Sequence, residues 1–77
     1  MRAEHALEIL HTRIEREREE ARKAVQQDAE NVRSIRTSSE PNEIALATAR
    51  ESQRMHEGWV HGHTMALIAI ETLRGEI

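Results

Sequence analysis

Between Met65 and Ile70 the chain reads Met-Ala-Leu-Ile-Ala-Ile. At about 100° per residue these side chains point in six different directions around a helix axis. A helix that is apolar on every side is normally buried on every side, and this constrains the fold more than any other feature. One neighbouring helix covers only one stripe, and a chain of 77 residues has little else to offer. The remaining cover is therefore expected from other copies of the chain. Just upstream, Gly58, Gly62 and Ala66 form a ladder of small residues at helical spacing. Glycine costs about 1 kcal/mol in a helix interior, so the ladder implies close packing or a bend. Membrane helices use the same spacing, but the apolar run is far short of the roughly 20 residues needed to span a bilayer. A contact in water is expected.

The segments around this one read as two long helices. From residue 3 to about 36 the apolar positions Leu7, Leu10, Ile14, Ala21, Val25, Ala29, Val32 and Ile35 follow a helical period, with one member missing near Arg18. The charge-rich middle of this helix, around Glu15–Lys23, reads as a solvated surface. The break falls at about 37–41, where Pro41 disfavours helix at Glu40 and Ser39 offers a cap. A second helix is expected from about 41 to 74, stopped by Gly75. Its main apolar stripe is Ile44, Thr48, Met55, Trp59, Gly62, Ala66, Ile70 and Leu73, flanked by Ala49, His56, Val60, His63 and Leu67. A turn near residues 39 and 40 would set Ala21 beside Gly58, Ile14 beside Met65 and Glu8 opposite Glu71.

The expected fold is therefore all-α: one domain over residues 1–77, an antiparallel hairpin of two long helices that assembles as a homo-oligomeric bundle, most simply a dimer of four helices. The expected interface comprises Leu7, Leu10 and Ile14 of the first helix, with Gly58, Trp59, Gly62, Met65, Ala66, Leu67, Ile68, Ile70 and Leu73 of the second. Composition fits this palette, since Trp59 is the sole aromatic residue and the core must be built from Leu, Ile, Val, Ala and Met. A chain this short has difficulty burying enough surface alone.

The same composition narrows function. With no cysteine, disulfides and thiolate metal sites are excluded. The net charge of −3 is spread over interleaved acids and bases, which argues against a nucleic-acid footprint. The polar N-terminus does not resemble a signal peptide, so a cytoplasmic location is expected, with no membrane partner. No nucleophile stands beside a base, and no glycine-rich phosphate loop occurs. The expectation is a non-enzymatic interaction, adaptor or inhibitor-like regulatory protein, without cofactor, that self-associates and binds another macromolecule.

The alternative is a metal-binding helical protein. Glu8 and His11 have the carboxylate–histidine spacing that ferritin-like proteins use on bundle helices, and Glu71 would join them from the second helix. His56 and His63 share a face of that helix and offer a second candidate set at an oligomer axis. His56-Glu57-Gly58-Trp59-Val60 misses the zincin pattern because Val60 stands where the second histidine is required. His61 and His63 point apart on a helix, and all these histidines read more simply as half-buried interface residues able to couple assembly to pH.

Overall fold

A computed structural model of the protein describes residues 2–76. It consists of α1 (Ala3–Arg36) and α2 (Glu43–Glu76), packed against each other as an antiparallel hairpin, with no strand among the described residues. The molecule is a rod of 58 × 14 × 14 Å. Its length follows from two helices of 34 residues, each about 51 Å long at 1.5 Å per residue.

The turn is set by side chains that satisfy the exposed helix ends. Thr37 closes α1, its backbone N–H and its hydroxyl both donating to the carbonyl of Arg33, at 3.0 and 2.9 Å. The cap of α2 is Asn42 and not Ser39: its Oδ1 accepts from the N–H groups of Ile44 at 2.9 Å and Ala45 at 3.1 Å. Asn42 therefore satisfies two donors that have no partner within the helix, while Glu43 complements the dipole. The chain stays non-helical through Pro41, and α2 begins at Glu43, later than the sequence suggested. It also runs through Gly75 to Glu76, because no glycine adopts the left-handed conformation that ends a helix.

The late turn shifts the pairing of the helices. Glu8 meets Arg74, at 3.7 Å, while Glu71 lies 3.2 Å from His11. The expected Glu8–Glu71 juxtaposition is therefore replaced by a Glu8–Arg74 ion pair and a Glu71–His11 contact. In the gap in the α1 stripe, Arg18 crosses toward α2 and donates from Nη1 to the Thr64 hydroxyl at 3.4 Å, while its buried Nε has no partner.

The hairpin's own core is thin. Among the described residues Ala21, Val32, Leu67 and Ile70 are the buried apolar ones, and no side chain is fully enclosed. The wide apolar face of α2 is divided between the hairpin and the surface, a division that the sequence left open. The flank of Ala49, His56, Val60, His63 and Leu67 turns toward α1, each residue buried or half-buried. Of the main stripe, Ile70 is buried and Ala66 half-buried, but Ile44, Met55, Trp59 and Leu73 are exposed, Trp59 at 52%. Leu67 and Ile70 mark the inward direction of α2; Met55, Trp59 and Leu73 stand to one side of it, roughly a quarter-turn away.

Candidate functional site

Two broad sides of the hairpin differ in chemistry. On the first side, shallow grooves run between the helices: Ala21 and Ala24 of α1 face Trp59 and His63 of α2, and Ile14 lies level with Gly62 and Ala66. Leu10 and Leu73 extend this surface toward the open end, both exposed. Nearer the turn it becomes mixed, Asn31, Ser34, Thr48 and Ser52 standing among Ile35, Ala45 and Ala49. Gly58 and Gly62 lie here with open space where a Cβ would be added. The hairpin's own packing therefore does not account for either glycine.

The second side is charged, with a groove at the turn end lined by Val32, Arg33, Arg36 and Gln53. Helical spacing carries Arg50 to the same end. Among the described residues Arg33, Arg36 and Arg50 form no ion pair.

Histidine–carboxylate pairs stitch the seam between these sides. His56 donates from Nδ1 to Oδ2 of Asp28, whose other oxygen accepts the Ser52 hydroxyl at 3.0 Å. Asp28 is only 7% exposed. A buried carboxylate needs such donors to offset its lost hydration. The His56 and Trp59 rings form a T-shaped pair with centroids 4.9 Å apart, an arrangement in which the positive edge of one ring meets the face of the other. His63 donates to the Trp59 carbonyl at 2.6 Å and approaches Glu17 at 3.2 Å. His11 lies between Glu15, at 2.7 Å, and Glu71.

The Ser52–Asp28–His56 group differs from a nucleophilic triad. There, the base contacts the hydroxyl through one ring nitrogen and the orienting carboxylate through the other. Here the same Nδ1 lies 3.5 Å from Ser52 and bonds Asp28, and the serine proton is directed at the carboxylate. The group can hold the helices in register and fix the ring beside Trp59. Asp28 is the residue that sequence reasoning missed: it falls between Ala21 and Val32 on the inward stripe of α1, and an acid at such a position signals a partner on the facing helix.

The proposed metal ligands are dispersed. Glu8 is drawn to Arg74, His11 and Glu71 face each other without Glu8, and His56 and His63 bond different acids of α1. Among the described residues no three His, Asp or Glu side chains gather in a way that could hold an ion. Of the expected interface residues, Leu67 and Ile70 belong to the hairpin core, and Leu7 and Ile14 are half-buried along it. Gly58, Trp59, Gly62, Ala66, Leu73 and Leu10 lie on the apolar side. Met65 and Ile68 do not: Met65, two residues before buried Leu67, points away from α1, and Ile68 turns toward the charged side.

Among the described residues no helix is long and apolar enough to cross a membrane. Compared with protein-family models, curated proteins and solved structures, the chain matches none.

Proposed function

We propose that this protein is a non-enzymatic adaptor or regulator that self-associates through the apolar side of its hairpin and binds another macromolecule through the charged side. The observation carrying this reading is the sidedness itself. Exposed Leu10, Met55, Trp59 and Leu73 flank one side of a molecule in which, among the described residues, the buried apolar ones are only Ala21, Val32, Leu67 and Ile70. Contiguous apolar surface of this kind marks an association site, and a core so small needs further burial to hold a stable fold. On the opposite side, Arg33, Arg36 and Arg50 supply guanidinium groups free of acidic partners. Arginine is suited to bidentate recognition of carboxylates, so an acidic segment of another protein is the complementary target.

Sedimentation equilibrium over a dilution series tests the first half, with Trp59 as the sole aromatic reporter. An oligomer that dissociates on dilution, with the Trp59 emission shifting to the red as the indole becomes exposed, is the expected result. A monomer at every concentration, with folded helices and unchanged emission, would refute self-association.

A further inference from the structure

We infer that two copies of this chain pack apolar side to apolar side with their turns at the same end, so that Trp59 of each copy seats on Ala21 and Ala24 of the other. This deepens the self-association reading above and rests on it. The available footprint comes first. One side of the rod, 58 Å long and 14 Å wide, is long enough to hold a standard stable interface, which buries roughly 800 Å² of accessible surface per partner. A second hairpin of the same dimensions covers this side from end to end.

The chemistry along that side sets the orientation. Toward the open end it carries Leu10, Ala66 and Leu73; toward the turn it is mixed, with Asn31, Ser34, Thr48 and Ser52 among Ile35, Ala45 and Ala49. Turns at opposite ends would lay Leu10 and Leu73 over the partner's Asn31, Ser34, Thr48 and Ser52, covering these polar groups without donors or acceptors. Turns at the same end lay apolar on apolar and polar on polar. The twofold axis then runs along the rod and places α1 of each copy over α2 of the other. Every neighbouring pair of helices is antiparallel, as in a four-helix bundle.

The axis also keeps residues at their own level, and this is where shape enters. Trp59 lines the same groove as Ala21 and Ala24, so it stands at their height along the rod. Rotated about the long axis, the partner's indole arrives above these small side chains. A large residue is thereby set against small ones in one layer, the arrangement that fills a bundle core without voids. Gly58 and Gly62 border the same layer with nothing near them in the hairpin, leaving room for the incoming indole. Two acids border this layer, and both have partners within the hairpin: Glu17 has Arg13 at 3.8 Å and His63 at 3.2 Å, and Glu20 has Lys23 at 3.5 Å.

The chain has no cysteine, so Ser39→Cys in the exposed turn accepts one spin label per copy. Pulsed dipolar spectroscopy, with the mass measured on the same sample, separates the outcomes. The expected result is a dimer with labelled backbones roughly 10–20 Å apart, one or two helix spacings. A dimer with labels separated by nearly the full 58 Å of the rod would overturn the same-end arrangement while leaving self-association intact. A monomer would overturn both. Trp59→Glu and Ile68→Glu then locate the interface. The first is expected to weaken association at least a hundredfold while circular dichroism stays helical, and the second, lying off the apolar side, to change it less than threefold. The reverse pattern would move the interface and overturn the seating of Trp59.

Discussion

Replacing Asp28 with alanine tests whether the polar cluster at the helix seam is structural. Asp28 is 7% exposed, accepts from Ser52 at 3.0 Å, and holds His56 through Nδ1. Hydrogen bonds to an ionised group each contribute about 1.5–3 kcal/mol, and a buried partner left unsatisfied costs about 1–3 kcal/mol. Ser52 and His56 are only half-buried, so both regain some water, and the net loss is expected near 2–3 kcal/mol. For a domain of this size each kcal/mol moves the midpoint by about 4–8 °C, giving a fall of about 10–20 °C. Urea unfolding followed by far-ultraviolet circular dichroism at fixed protein concentration measures it, since association itself raises apparent stability. The paired substitution Asp28→Leu with His56→Leu should cost well below the sum of the single changes, because both polar groups leave together. An Asp28→Ala protein within about 0.5 kcal/mol of the parent, the range of ordinary surface changes, would refute the reasoning.

Two further substitutions probe neighbouring claims. Asn42→Ala removes the acceptor for the Ile44 and Ala45 amides and should destabilise the hairpin by about 1 kcal/mol; Ser39→Ala should do so by much less, and equal effects in urea unfolding would return the cap to Ser39. Arg18→Met removes a guanidinium whose buried Nε has no partner and retains a long apolar stem, so thermal melting should show unchanged or higher stability; a loss above about 2 kcal/mol would mean that the Thr64 contact outweighs the stranded nitrogen.

The hairpin was legible in the sequence because its signals are local. The helical period over Leu7–Ile35, the break at Pro41 and the aliphatic palette each follow from neighbouring residues, and the structure has these two helices packed together. What sequence periodicity did not resolve was which apolar stripe of α2 faces α1. Hydrophobicity favoured the stripe through Met55, Trp59 and Leu73, yet the stripe through His56, Val60, His63 and Leu67 turns inward. The reason lies on the other helix: Asp28 is buried facing α2, and His56 supplies a donor that this acid requires. A periodicity read one helix at a time does not include that cross-helix matching. The registry failed for a related reason, since the choice between Ser39 and Asn42 as cap decides whether Glu8 meets Glu71 or Arg74.

Which stripe of α2 turns inward also changes what a dimer would present to a target. Had the larger apolar stripe closed the hairpin, the histidine seam would have been left for solvent. With histidines inside, the apolar side is available for a second copy, and each charged side faces outward. In the same-end arrangement the two sets of Arg33, Arg36 and Arg50 stand at one end of the rod, on opposite flanks. An elongated target with two acidic segments would engage both sets, the second binding step becoming intramolecular with an effective concentration set by the linker between segments. Trp59→Glu then separates affinity from avidity. A peptide with one acidic segment should bind the monomeric variant and the parent equally, whereas a tandem peptide should bind the parent at least tenfold more tightly. Equal binding of the tandem peptide by both proteins, measured by calorimetry, would show that the arginine ends do not act together.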